Sequence, residues 1–321
     1  MPVGNSDRGV GLWAGQVMFG VDNSNEYIDW WHDVLPNSPE NFDHEGRMVS
    51  SILTPSLTIG VSNYINVSLS QIVGFRHMVW DGDQHSIHHR TEGTNKNFNN
   101  ANGGLLGDSK VMVRYLVSNA GQGTGSRVFV GFGASSPSKN TLTSDPFFLR
   151  NNDEKKDHRH FSMSDGCYKV LAETQFYFKR NLNPVFIGGA FLYQTPLKEN
   201  KYGYKSSTLY DLSLTAISNE IQKLKASLNL NTSLMHTTVG YWNGLKAPNS
   251  RSTIITFGGG FLKNTDYGVI NFGLLKPVFL SGGFSGTDGE VESRVGAWRF
   301  NIGFRRLFDY VIPWLDPFKN L

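Results

Sequence analysis

Apolar and polar residues alternate with a period of two along nearly the whole chain, and the helical period of 3.6 hardly appears. Ile65, Val67, Leu69, Val73 and Phe75 fall on one face, with Asn66, Ser68, Ser70, Gly74 and Arg76 on the other. Tyr168, Val170, Ala172, Phe176 and Phe178 stand opposite a set that includes Lys169, Glu173, Gln175 and Lys179. Leu224, Ala226, Leu228, Leu230 and Leu234 alternate with Lys225, Ser227, Asn229, Asn231 and Ser233. The last clear segment sets Trp298, Phe300, Ile302 and Phe304 against Arg299, Asn301, Gly303 and Arg305. Successive side chains of a strand point to opposite faces, so each segment reads as a strand with one greasy and one polar side.

The pattern predicts strands at 10–22, 47–61, 65–80, 108–117, 127–137, 167–180, 184–197, 206–218, 223–242, 251–263, 267–281 and 293–308. Globular strands have about 5–6 residues, whereas a tilted strand crossing a bilayer needs about 9–11. Most of these segments have 11 to 20, and their number is even, as in single-chain bacterial barrels. Segments 23–46, 81–107 and 138–166 are long, polar connections, and 198–205, 243–250 and 282–292 exceed their partners at 219–222 and 264–266. Long loops on one side and tight turns on the other mark outer-membrane barrels. The fold class is therefore all-β: a closed, up-and-down antiparallel transmembrane β-barrel of about twelve strands. Residues 1–308 form its single domain, and 309–321 a C-terminal extension. A soluble all-β binding module is the alternative, because a sandwich also produces half-polar strands.

Three features sit awkwardly in this pattern. Pro55 and Pro277 fall inside strands, where a missing N–H implies a bulge or an early ending. The connection 118–126 is long for a periplasmic turn. The first strand, from Gly9 to Asp22, is Gly-rich and alternates weakly.

Composition narrows the class further. Thirty Lys and Arg oppose 27 Asp and Glu, a net charge of +3, so a nucleic-acid partner is not expected. Charged residues make up 18%, against roughly 25% in an average domain. The single cysteine, Cys167, rules out an intrachain disulfide framework. No apolar run approaches the roughly 18 residues of a membrane helix. The opening MPVGNSDRGVGLWAG lacks the pattern of a secretory leader, which read literally points to the cytoplasm, whereas the strands argue for export to the outer membrane of a Gram-negative bacterium.

The hairpins RVFVGFGASSPS, SMSDGCYKVLAETQFYF and PVFIGGAFLYQ carry Gly-aromatic strands on either side of a long loop. In these the chain, from about Arg47 to Phe308, resembles the outer-membrane barrel family of the MetA pathway of phenol degradation, whose members are labelled transporters. The resemblance implies a barrel passing small apolar or aromatic molecules. Such barrels commonly end on an aromatic residue; Phe308 fits, but DYVIPWLDPFKNL continues for 13 residues.

Alternation places Arg76, Arg114, Lys169, Glu173, Gln175, Lys225, Arg299 and Arg305 on the polar faces, where they are expected to line a pore. Charges facing lipid would cost about 2–4 kcal/mol each near the midplane. The expected function is a channel for small aromatic or anionic solutes, with outer-membrane lipid and a small solute as partners and no cofactor. A surface barrel that binds a partner through its long loops is the other reading. Seven of the nine histidines, His32, His44, His85, His88, His89, His158 and His160, fall in the three longest loops. His85, His88 and His89 have the spacing of a helical turn and are weak metal candidates; solvation of polar loops is the favoured account, and no metal is expected. Asp157, His158 and His160 form a second such group. No catalytic residue is expected: the His-x-Ser-Asn-Gly string of outer-membrane phospholipase is absent, and His77 and His236 are the only strand histidines. The aromatics Trp13, Tyr64, Trp80, Tyr115, Tyr241, Trp242, Tyr267 and Trp298 are expected to form interfacial girdles.

Overall fold

The computed structural model describes residues 11–34, 40–86, 89–120, 124–147, 158–282 and 292–316. Twelve long strands form one barrel: β1 Gln16–His32, β2 His44–Gly60, β3 Ile65–Trp80, β4 Leu106–Ala120, β5 Gly125–Ser136, β6 Lys169–Lys179, β7 Phe186–Pro196, β8 Leu209–Ile221, β9 Ala226–Thr237, β10 Ser252–Thr265, β11 Gly268–Ser281 and β12 Ser293–Val311. Every neighbouring pair is antiparallel and follows chain order. Closure comes from β1 against β12, in a ladder running from Gln16↔Val311 to His32↔Ser293. No strand of the barrel keeps a free edge along its whole length.

The two faces sort as the alternation requires. Leu57, Leu69, Val113, Phe132, Leu212, Leu230, Phe257, Leu274 and Phe300 stand on the outside, between 38% and 70% exposed. Ser56, Thr58, Asn66, Ser68, Arg114, Gln175, Asn229 and Thr256 are buried inside. Few apolar residues share a compact core; Leu116, Phe129 and Tyr177, with Phe186 against them, form the one apolar cluster resolved among the described residues. Trp13, Tyr64, Tyr267 and Trp314 are 60% or more exposed at the short-turn end, a girdle in position and chemistry. Trp80 and Trp242 do not join such a girdle. Trp80 stacks on His89, and Trp242 is buried in the short ladder of 204–205, 241–242 and 245–246.

Strand boundaries differ from the expected ones chiefly in four places. β9 is Ala226–Thr237 rather than 223–242, and Tyr241 and Trp242 belong to a separate short ladder. β1 begins at Gln16 rather than residue 10 and runs on to His32, through the polar stretch first read as loop. Its side chains there find partners in the wall: Ser51 donates to Asn25 and Arg299 pairs with Glu26, so polarity did not end the strand. β4 and β5 extend to Ala120 and from Gly125, which leaves only residues 121–124 between them. β12 continues past Phe308 to Val311, with the Ile312 amide donating to the Gly15 carbonyl.

The two strand prolines each interrupt a ladder. Between β2 and β3 the pairing passes from Leu53↔Val73 to Ser56↔Ser70, skipping Thr54 and Pro55. On the other side of β3, where the β3–β4 ladder shifts register between Gln71 and Val73, the Gln71 side-chain amide donates at 2.8 Å to the carbonyls of Ile72 and Gly107. Pro277 lies two residues beyond Leu275↔Arg299, where the β11–β12 ladder stops. Gly258 and Gly260 serve close strand approach: a Cβ there would strike the carbonyls of Leu274 and Phe272.

Leu230→Arg, on the outer face of β9, should destabilise the barrel by about 2–4 kcal/mol. Asn231→Arg, one residue along and facing inward, should cost less. Guanidinium titration of the protein folded into vesicles, followed by tryptophan fluorescence, measures both, and equal costs would contradict the assigned faces.

Candidate functional site

A cavity of about 500 Å³ lies inside the barrel, walled by residues of nearly every strand. Its lining mixes two chemistries. Ile52, Ile72, Met112, Leu171, Leu192, Met235 and Phe272 offer apolar surface, and Ser70, Ser213, Asn229, Asn231, Asn271 and Asn301 offer hydroxyls and amides. Charge in this wall is balanced in number, with Lys110, Arg114 and Arg299 against Asp22, Glu173 and Asp211.

Of the residues expected to line a pore, seven lie on inward faces. Arg114 and Glu173 form a buried pair at 2.7 Å, and Arg114 also donates to the Ser68 hydroxyl at 2.8 Å. Lys169 is buried between Asp165 at 2.6 Å and Asp108 at 3.6 Å. Arg299 reaches Glu26 at 2.8 Å. Arg76 donates to the Ser162 carbonyl at 3.1 Å, Gln175 accepts from the Tyr177 hydroxyl at 3.2 Å, and Arg305 is buried on β12. Lys225 is the exception. It sits exposed in the turn between β8 and β9 with φ of 48°, its amide bonded to the Gln222 carbonyl, so the chain reverses before the alternation reaches the wall.

The inward carboxylates Asp22, Glu26, Asp108 and Asp211 were not among the expected site residues. Asp22 and Glu26 lay in or beside a stretch read as loop. Asp108 shares the parity of Arg114, and Asp211 that of Ser213, so alternation alone marks both as inward-facing.

Folded segments of two long loops cover the cell-exterior side. Arg159, with no exposed surface, donates to the carbonyls of Gly93 at 2.9 Å, Lys96 at 2.7 Å and Asn102 at 2.6 Å. Asn100 pairs with the Arg159 backbone at both ends, 2.8 and 2.9 Å. Asn140 donates to the carbonyls of Thr94 and Gly104, and Glu92 accepts from the His160 amide. Burial pulls the Arg159 guanidinium below its ordinary pKa while Glu92 opposes it. The buried Cys167 thiol is pushed up by desolvation and then by Asp165, so it stays protonated and unreactive. Met163 reaches the inner wall beside Ile72 and Gly107. The loop therefore descends below the rim.

The loop histidines are regrouped. His85 is exposed, and His88 and Asp157 lie outside the described residues. His89 instead meets His32 and His44. His158 and His160 approach each other at 3.2 Å.

The chain aligns with the COG4313 outer membrane channel from Pseudomonas putida F1 over 96% of its own length and all of that protein's, at a TM-score of 0.57 and 13% identity. The fold is that of an outer-membrane β-barrel. Looser likenesses reach a Pseudomonas aeruginosa FadL homologue (8% identity, 92% and 90% covered, TM-score 0.42) and the translocator domain of autotransporter NalP from Neisseria meningitidis (11%, 94% and 91%, 0.35). No family model matches, and no curated protein does. What a barrel of this fold does is carried by its own lumen.

Removing one partner of a buried ion pair strands the other charge. Arg114→Ala should cost about 3–5 kcal/mol, and adding Glu173→Gln should recover a good part of it. Equilibrium unfolding of the three proteins in vesicles reads both effects. No recovery in the double variant would mean that the cost is lost packing.

Proposed function

We propose that this single barrel domain resides in the outer membrane of a Gram-negative bacterium and passes small amphipathic solutes, aromatic molecules with polar substituents foremost. The observation that carries the reading is the closed, outwardly apolar barrel around a cavity of about 500 Å³ whose wall alternates aliphatic patches with hydroxyls and amides. Ligand sites of this size are commonly apolar with a few placed polar groups. The resemblance to the phenol-degradation barrels points the same way.

Anion steering, the other expectation, has little support. It would need a basic lining, yet the cavity wall holds as many carboxylates as cations, Arg114 is paired with Glu173 and Arg299 with Glu26, and the inward Lys169 is held by two more acids. Solutes are then sorted by size and by contact with the aliphatic patches. Twelve strands enclose less room than the 16–18 of open porins, so inward side chains decide what passes. The tied loops make the exterior side the controlled one: Arg159 holds both loop segments by donating to three carbonyls, and passage requires that network to shift. The same network favours a second reading, a barrel closed for good whose loops present a surface.

Planar-bilayer recording separates the two. A channel gives small conductances with similar permeability to cations and anions, and Arg159→Ala raises conductance several-fold by releasing the loop segments. Vesicle swelling should then be faster with small aromatic alcohols than with sugars of equal mass. Silence from both the natural protein and Arg159→Ala would favour the closed surface barrel.

A further inference from the structure

At the cell-exterior rim the ladder pairs His32, the last residue of β1, directly with His44, the first of β2. Cross-strand neighbours hold their Cβ atoms about 4.5–5.5 Å apart, which suits two imidazoles to one ion. The 81–105 loop adds a third. His89 stacks on Trp80 at 5.6 Å between ring centres, and its amide bonds to the Ser86 hydroxyl at 2.8 Å. The ring centres of His44 lie 4.8 Å from those of His32 and 4.9 Å from those of His89. One ligand atom from each of the three falls within 4.8 Å of the others.

We propose that His32, His44 and His89 form a binding site for a borderline divalent transition metal, zinc being the representative ion. Three imidazoles with one further position are a familiar zinc donor set, and the same nitrogens suit copper and nickel. Zinc–nitrogen bonds of about 2.0–2.1 Å put tetrahedral ligand atoms about 3.3 Å apart, so side-chain rotation closes the site without moving the strands.

The surroundings prepare each ring. His32 Nδ1 lies 2.8 Å from the Asp33 carbonyl, which favours a proton there and a lone pair on Nε2. His44 Nε2 lies 3.1 Å from the Glu40 carboxylate, the arrangement that orients a metal-binding histidine from behind. Neither of its ring nitrogens has a hydrogen-bond partner of good geometry, the Glu40 contact included, although the residue is 1% exposed. A buried, unsatisfied ring nitrogen is costly, and a metal ion would satisfy it. Ser86 donates to Glu40 at 3.0 Å while accepting from the His89 amide, so one hydroxyl ties the carboxylate to the loop ligand. Trp30, Phe42 and Trp80 pack around the trio and limit water access. Metal would join β1, β2 and the loop that meets Arg159, clamping the loop over the rim.

The test uses the full chain without a histidine tag, refolded in detergent, stripped with chelator and titrated calorimetrically with zinc chloride. One zinc per chain is expected, with a dissociation constant of about 1 μM or below. His44→Ala and His89→Asn should each weaken binding at least tenfold, Glu40→Gln about 10–100-fold, and His85→Ala should leave it unchanged. His89→Asn lies on the loop and keeps the barrel wall intact, and heat-modifiable migration confirms folding of every variant. Cobalt should give the intense visible absorption of a four-coordinate site, lost in His89→Asn. Zinc binding that survives in folded His89→Asn and His44→Ala, binding lost in His85→Ala, or no saturable binding by the natural protein would each overturn the site and leave the trio as aromatic packing.

Discussion

The structure depends on one constraint: in hydrocarbon, every backbone N–H and C=O must be satisfied by the protein itself. A sheet meets it only by closing, and here the seam between β1 and β12 does so with a ladder of sixteen paired positions. Wherever a proline removes a donor, the consequence is visible. The β2–β3 ladder skips two positions at Pro55, and the β11–β12 ladder ends before Pro277. Strand length, strand parity and the sorting of long and short connections all follow from closing a sheet across a slab of fixed thickness.

Closure also dictates the chemistry of the inside. Side chains must alternate, so an outer face of leucine, valine and phenylalanine leaves serine, threonine, asparagine and charge for the lumen. Inward charges in a narrow barrel are shielded from bulk water and settle by pairing, as Arg114 with Glu173 and Lys169 with Asp165 and Asp108 do. Pairing, rather than the sum of cations, then sets the field a solute meets. A lining rich in basic residues becomes electrically balanced once their partners are counted.

The loops follow a different logic. They escape the membrane constraint but carry backbone groups that must still be satisfied where they bury one another. Arg159 suits that role: its planar set of donors reaches three carbonyls of the neighbouring loop. The rim histidines are drawn together by the same folding. His32 and His44 face each other because β1 and β2 extend to the limit of their hairpin, and His89 arrives on a loop held by Ser86 and Trp80.

The barrel itself was legible in the chain, because period-two alternation reports each strand and its inward face locally. Arg76, Arg114, Glu173, Arg299 and Arg305 could be assigned to the polar side from parity alone. Lys225 could not, since a turn with positive φ leaves no trace in an alternation that runs through it. Asn23 to Glu26 hid the second half of β1 because strand and loop are equally polar there, and only cross-strand partners such as Ser51 and Arg299 distinguish them. With that half-strand went the inward acid Glu26, the partner of Arg299, and His32 at the strand's end. The convergence of His32, His44 and His89, and the hold of Arg159 on carbonyls more than fifty residues away, were beyond the sequence. Local pattern determined strands and faces because each depends on neighbours one or two residues apart. Pairing partners and loop contacts were left to the tertiary structure, since they depend on which distant groups closure brings within reach.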